Sequence, residues 1–299
     1  DEGFRSEHDG YMHACGHDAH VTIALGVLEA VAASDFEGSF RVFFQPAEEI
    51  AGGGKPMAES GLVDDLDYLF AFHLGLGHPT GAVVANATRP LAMAHINATF
   101  EGASAHAGKN PSGGTNAMQA MTTAVQNAYG IPRHADGLTR INFGRVEGGS
   151  ASNVIAEEVV LDGEVRGETT ALMEYMRTEL ERELYAAAEL HQCDVVIHRT
   201  SESIRVDGDP TLAGTVADVA HDRPSVRTVT EAAPLGASED ATFLMQRVHE
   251  RGGRAVYLLV GTDHPTAHHT PTFDVDERSL DIGVELLTAC VTAVAEDRP

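Results

Sequence analysis

The 299-residue sequence has no tryptophan, and Lys55 and Lys109 are its only lysines. Its three cysteines, Cys15, Cys193 and Cys290, are an odd and sparse set. That excludes a disulfide framework and suits a reducing, cytoplasmic compartment. No apolar run approaches the ~20 residues of a membrane-spanning helix, and no basic segment leading into an apolar stretch marks a signal peptide. Positive charge is scarce: 20 Lys and Arg stand against 45 Asp and Glu, a net charge of −25. Phosphate backbones and anionic lipid would repel such a chain, so neither nucleic acid nor a membrane is an expected partner. Dense carboxylates with almost no lysine suit a protein that stays soluble in concentrated salt, where self-repulsion is screened.

What is present is globular. Hydrophobic residues make up 43% of the chain, and the length allows two domains. Helical spacing of apolar residues predicts helices over Val21–Ala33 and Lys55–Ser60, and short apolar runs predict strands over Phe40–Phe44 and Tyr68–Leu74. Strands alternating with helices argue for a mostly parallel α/β sheet. From Ala92 the pattern changes. A strand (Ala94–Phe100), a helix (Asn116–Tyr129), two strands (Thr139–Val146, Val159–Arg166), a helix (Ala171–Leu190) and a strand (Asp194–Thr200) give the β-α-β-β-α-β order of a split βαβ, ferredoxin-like unit. The α/β texture then resumes with helices at Ala213–His221, Ser238–Val248 and Glu277–Ala295 and a strand at Ala255–Val260. Ser238 is the expected N-cap of its helix, with Glu239 and Asp240 complementing the dipole. One domain inserted into another is expected: 1–91 and 205–299 form the α/β domain, and 92–204 the insert.

Four segments carry metal-type side chains. The first, His13-Ala14-Cys15-Gly16-His17-Asp18-Ala19-His20, sets a thiol and an imidazole two residues apart at the mouth of a helix. The second is Gln45-Pro46-Ala47-Glu48-Glu49, after an apolar run. Paired carboxylates can divide the work, one ligating metal and one moving protons. The third is His73, at the end of a strand, and the fourth is His268-His269-Thr270-Pro271, in the loop after Ala255–Val260. A lone strand-end histidine or an adjacent glutamate pair is usually unremarkable. All four are expected at the C-terminal ends of strands or in the loops that follow, within one α/β domain, where such folds put their sites, and a Cys, His and Glu set suits one or two transition-metal ions. Gly52-Gly53-Gly54-Lys55 mimics a phosphate loop, but Pro56 stands where Ser or Thr is required; its glycines are expected to make a tight turn.

The sequence resembles the amidohydrolase branch of the zinc carboxypeptidase–aminoacylase metallopeptidases. The likeness rests on His13-Ala14-Cys15-Gly16-His17-Asp18, Phe44-Gln45-Pro46-Ala47-Glu48-Glu49, Gly61-Leu62, the strand ending in His73 and Phe100-x-Gly102-x-x-x-His106-Ala107. It continues through Gly148-Gly149-x-x-x-Asn153-Val154-Ile155 and His269-Thr270-Pro271-x-Phe273-x-x-Asp276-Glu277. Ile131-Pro132-Arg133-His134, Val260-Gly261-Thr262-Asp263 and His268-His269 narrow it toward hydrolases of p-aminobenzoyl-glutamate-like substrates.

The resemblance implies that Cys15, His17, Glu49, His73 and His269 ligate two divalent ions, Zn or Mn before Co or Ni, with Cys15 bridging. It implies that Glu48 is the general base, and that His106, Asn153 and Arg166 meet the substrate. The inserted unit would be a lid and homodimerisation domain, with the histidine supplied across the dimer. A further candidate partner is a second, different subunit. The branch carries a leading segment with the first strands of its catalytic sheet before the Cys-Gly-His motif. That segment has no counterpart here, so the α/β domain reads as lacking its N-terminal part.

Metal-dependent cleavage of N-acyl or N-aroyl amino acids is the expected activity, with hippurate-like substrates as the alternative. Two rivals stand beside it. A metal-free hydrolase with Cys15 as nucleophile leaves Glu48, Glu49, His73 and His269 unexplained. The other is a non-catalytic fragment or pseudo-enzyme that keeps the dimerisation domain.

Overall fold

The computed structural model describes residues 5–264 and 266–296. The first helix, α1 (His17–Ala32), follows a left-handed turn at Gly16 and buries Ala19, Ile23, Val27 and Val31, one residue per turn on one stripe. A short helix α2 (Gly54–Glu59) and strands β1 (Tyr68–Leu74), β2 (Ala82–Val84) and β3 (Ala87–Thr88) follow. After the residues of the second unit come α5 (Pro210–His221), β8 (Thr228–Thr230), β9 (Ala233–Pro234), α6 (Thr242–Glu250), β10 (Arg254–Val260) and α7 (Arg278–Glu296). These elements build a four-stranded sheet in the order β1-β10-β2-β8. The β1–β10 and β2–β8 pairs are parallel and β10–β2 is antiparallel, so the sheet is mostly parallel, as expected. β3 and β9 form a separate parallel pair.

β10 explains the two-sided burial. Every residue from Ala255 to Val260 is buried, as in a strand covered on both faces. Val256, Leu258 and Val260 join the core with α1, α5 and α7. Ala255, Tyr257 and Leu259 face the opposite core, with α6 and Ala58 of α2. The period of two thus sends alternate side chains to two helical layers.

The second unit comprises β4 (Ala92–Glu101), α3 (Ala117–Tyr129), β5 (Thr139–Gly148), β6 (Glu158–Gly167), α4 (Thr170–Leu190) and β7 (Asp194–Ser203). Its sheet is antiparallel throughout, in the order β5-β6-β4-β7. Placing the third strand of the unit beside the first is the split βαβ arrangement that the element order predicts. α3 buries Ala117, Ala120, Ala124 and Ala128, while α4 buries Met173, Met176, Leu180 and Leu184 in the same core. Small side chains on one helix face large ones on the other, so the two interdigitate.

Two expectations are corrected. Phe40–Phe44 is not a strand, because no neighbouring strand pairs with it among the described residues. β1 bonds to β10 on one edge only, and the run from Phe40 to Phe44 lines a cavity of about 810 Å³ together with Tyr68, Phe70 and Phe72 of β1. The helix expected from Ser238 starts instead at Thr242. The cause is burial: Glu239 and Asp240 turn inward to partners described below and leave the helix uncapped by a side chain. Among the described residues no helix is long and apolar enough to cross a membrane.

Candidate metal centre

The left-handed turn at Gly16, φ 89°, sets Cys15 and His17 on either side of the start of α1. Cys15 is 7% exposed, and its Sγ lies 3.4 Å from Nε2 of His73. His73 is buried near the C-terminal end of β1, with Nδ1 2.7 Å from the Leu74 carbonyl. A carbonyl only accepts, so the ring proton sits on Nδ1 and the Nε2 lone pair faces the thiol. His20 holds this end of β1 in place, its Nε2 accepting the Leu74 N–H at 2.9 Å.

Glu48 and Glu49 lie in a single 3₁₀ turn, Glu48–Ile50, flanked by Ala47 at φ 56° and Ala51 at φ 46°. Two non-glycine residues in the left-handed region are costly and cluster at functional sites. The turn directs both carboxylates at one imidazole. His17 Nε2 lies 3.3 Å from Glu48 and its Nδ1 3.4 Å from Glu49. His269 is a third such residue, at φ 62°. Its N–H donates to the Ala14 carbonyl at 2.7 Å, and its Nδ1 lies 3.8 Å from Glu49.

Potential ligand atoms fall into overlapping groups, each within 4.8 Å: Cys15, His17 and His73; Cys15, Glu49 and His269; His17, Glu48 and Glu49; and Glu48, Glu239 and Asp240. Cys15 is common to the first two. Two bonds of about 2.3 and 2.0 Å at a tetrahedral ion put sulfur and nitrogen roughly 3.5 Å apart, which the Cys15–His73 separation of 3.4 Å matches. Thiol, imidazole and carboxylate also form a donor set suited to transition metals. The residues present therefore fit such ions.

The charges point the same way. Burial, then Glu49, Glu48 and Glu239, push the Cys15 thiol up to about 12. Burial, then Glu239, Asp240 and Glu49, push Glu48 up to about 8. Burial raises Glu239 to about 7 against the Tyr257 hydroxyl that donates to it at 2.5 Å. His73 is lowered to about 4 by burial. His17 is lowered too, its burial outweighing the pull of Glu49. Burial and the crowded carboxylates thus favour the protonated thiol and carboxyl in the metal-free protein, and a cation would reverse that preference.

The three residues expected at the substrate engage groups of the antiparallel unit. His106 is exposed and bridges to Val154, and its Nδ1 accepts the N–H groups of Gly108 and Lys109 at 3.1 and 3.2 Å. Its proton is therefore on Nε2, which points a donor outward. Asn153 lies beside it, its carbonyl accepting the Ala107 N–H at 2.9 Å. Arg166 makes a bidentate pair with Glu164 at 2.8 and 3.0 Å. With His95, that pair holds Glu164 down to about 2. His268, in contrast to His269, stacks against His73, His264 and Phe273 and joins none of the ligand groups.

Glu239 and Asp240 join the site without a metal-type signal in the sequence, whereas His20 lies in the first metal-type segment. Glu239 and Asp240 resemble an exposed helix start in the sequence. His20 falls about one turn after His17 on α1 and supports the end of β1 instead of joining a ligand group.

The model of peptidase family M20/M25/M40 matches residues 1–293. A p-aminobenzoyl-glutamate hydrolase homolog of Haemophilus influenzae is 38% identical over 292 residues, covering 97% of this chain and 69% of the relative. An indole-3-acetyl-aspartic acid hydrolase of Enterobacter agglomerans is 36% identical over 290 residues, covering 96% of this chain and 66% of the relative. The chain thus spans about two thirds of the length of these relatives. The crystal structure of an aminobenzoyl-glutamate utilization protein from Klebsiella pneumoniae matches with a TM-score of 0.84 at 30% identity, covering 92% of this chain and 67% of that one.

Proposed function

The chain belongs to peptidase family M20/M25/M40, and from that premise we propose that it is a metal-dependent amidohydrolase that cleaves N-acyl or N-aroyl amino acids. The observation that carries this is the sharing of Cys15 by two ligand groups, with Glu48 beside them. Both similar hydrolases named above have an acidic amino acid in their substrate's name, which favours p-aminobenzoyl-glutamate-like amides over hippurate-like ones.

Cys15, His17 and His73 would hold one divalent ion, and Cys15, Glu49 and His269 a second, with Zn or Mn preferred to Co or Ni. Such ions supply Lewis acidity at the scissile carbonyl and make water more acidic. Glu48 is the proton carrier. It accepts a proton from the attacking water and delivers it to the leaving nitrogen, freeing a carboxylic acid and an amino acid. The Nε2–H of His106 is suited to donate to the developing oxyanion.

We read residues 92–204 as a lid and homodimerisation domain inserted between 1–91 and 205–299, which would bring His106 to a neighbouring site. The Haemophilus influenzae relative is named as one subunit of its hydrolase, which keeps a different second chain open as a partner. We place it in the cytoplasm, a reducing compartment that suits three unpaired cysteines.

Chelation discriminates this function from its rival. Release of glutamate from an aroyl-glutamate should stop with chelator and return with Zn or Mn. Hydrolysis that survives chelation but dies on thiol alkylation would make Cys15 the nucleophile instead.

Arg166 and Asn153 are the proposed partners of the substrate's α-carboxylate. A guanidinium fork matches a carboxylate bidentately; Glu164 occupies the Nε–Nη2 edge of Arg166, so a substrate carboxylate would take the Nη1 side or displace Glu164. Arg166→Ala should raise KM for an aroyl-glutamate by about tenfold to a hundredfold, since a hydrogen bond to a charged group is worth about 1.5–3 kcal/mol. KM for the corresponding amino-acid amide should move far less. Equal effects on both substrates would remove Arg166 from this role.

The charge of −25 also makes this a candidate salt-adapted enzyme. Its melting temperature should rise from dilute buffer to molar KCl as self-repulsion is screened. A flat or falling curve would contradict that.

A further inference from the structure

The glycine run at 52–54 has a use that its spacing does not announce. Gly53 and Gly54 point their N–H groups at Oδ2 of Asp240, at 3.0 and 2.8 Å. The side-chain amide of Gln45 donates to Oδ1 of the same carboxylate at 2.5 Å. Asp240 is 0% exposed. A Cβ on Gly53 would sit 1.8 Å from the Pro46 carbonyl oxygen, and one on Gly54 2.0 Å from the Asp240 carbonyl oxygen. Only glycine lets the backbone approach this closely. The run is a cradle for an anion, and the anion is the chain's own.

The three donors lie on either side of Glu48 and Glu49. Gln45 precedes them by three residues and Gly53 follows by four. Between them the backbone turns through the left-handed residues Ala47 and Ala51. Such a turn persists only when its surroundings over-determine it. The turn's own hydrogen bonds, Ala51 N–H and Gly52 N–H to the carbonyls of Glu48 and Ala47, close it locally. They do not fix where it sits relative to α1 and β10.

We propose that Asp240 is a positioning residue: by gripping Gln45 with one oxygen and Gly53 and Gly54 with the other, it closes the 45–54 segment and holds Glu48 and Glu49 against His17. An Asp240 oxygen also lies within 4.8 Å of oxygens of Glu48 and Glu239. Both Asp240 oxygens are already occupied by donors, so it acts as a strut and touches no reacting atom. The role rests on the assignment of Glu48 as base and Glu49 as ligand. Losing the strut lets the two carboxylates drift, and misplacement of about 1 Å can cost about 10²-fold in rate.

The test uses Asp240→Ala and Asp240→Asn in the same enzyme. In Asp240→Ala, kcat should fall about 10²-fold with KM held within about threefold, as expected when only the transition state loses its alignment. Asp240→Asn should recover most of that loss. Its carbonyl can accept from Gly53 and Gly54, and its amide can donate to a flipped Gln45, whose Oε1 is buried without a partner.

A second readout is independent of metal and of activity. In the metal-free protein, amide exchange at Gly53 and Gly54 should be slow in the wild type and Asp240→Asn, and fast in Asp240→Ala. Should Asp240→Ala fail to fold, Gln45→Ala takes its place and should lower kcat with KM held. A normal kcat in the variant that folds, or an Asp240→Asn as damaged as Asp240→Ala, overturns the proposal. Failure of the catalytic assignment would appear separately, as activity retained in Glu48→Gln while the exchange pattern stays as stated.

Discussion

Glu48→Gln should lower kcat by about 10²–10⁴-fold, the usual contribution of a positioned acid–base group, and should leave the metal content unchanged. Glutamine keeps the shape of the side chain and its contact with His17 but cannot take a proton from water. In the metal-free protein burial, Glu239, Asp240 and Glu49 raise Glu48 to about 8, and bound cations would draw it back toward the carboxylate that accepts a proton. Its neighbour should behave differently. Glu49 faces His17 and His269, so Glu49→Gln should weaken metal binding as well as rate. Elemental analysis beside steady-state kinetics separates the two. Loss of metal in Glu48→Gln as complete as in His17→Ala would show that the two carboxylates have been given the wrong roles.

Metal removal should have the second large effect, on stability as well as rate. The metal-free fold confines Cys15, Glu48, Glu49, Glu239 and Asp240 in overlapping groups within 4.8 Å, and cations relieve that crowding. An ion bound only by the folded state adds about 4 kcal/mol when present at 1,000 times its dissociation constant. The melting temperature should therefore drop by several degrees with chelator.

The drop should also depend on pH. The metal-free thiol, pushed up to about 12, keeps its proton through the neutral range, and the ion must displace it. Affinity then rises with pH, so the chelator-induced shift should be larger at pH 8 than at pH 6. An equal shift at both would mean that no proton leaves a ligand on binding.

Much of this architecture is legible in the sequence where one period dominates. The uninterrupted apolar run of β10 and the helical stripe of α1 set their faces directly. The element order from Ala92 to Ser203 was enough to predict the split arrangement of the antiparallel unit. In strands, residues two apart share a face, which is why Arg166 meets Glu164. Long-range partnership was not legible. Phe40–Phe44 has the composition of a strand, but composition does not supply a neighbour to pair with. Ser238-Glu239-Asp240 has the pattern of a helix start. Its acids serve Tyr257, Gln45 and the glycine amides instead, contacts that span 187 residues at Gly53. The candidate ligands stood out because Cys, His and Glu gather in four short segments, of which only His73 proves to lie at a strand end. The residues that hold them in place carry no such signal, because their role is defined only by what they touch.

The proposed joining of two metal sites by Cys15 is tested most directly by the metal content of single-ligand variants. Elemental analysis of the purified enzyme should give two ions per chain. His73→Ala and His269→Ala should each fall toward one, because each removes a ligand from a different group, and Cys15→Ala should lose both. One ion in the wild type, or a Cys15→Ala variant that retains two, would contradict it.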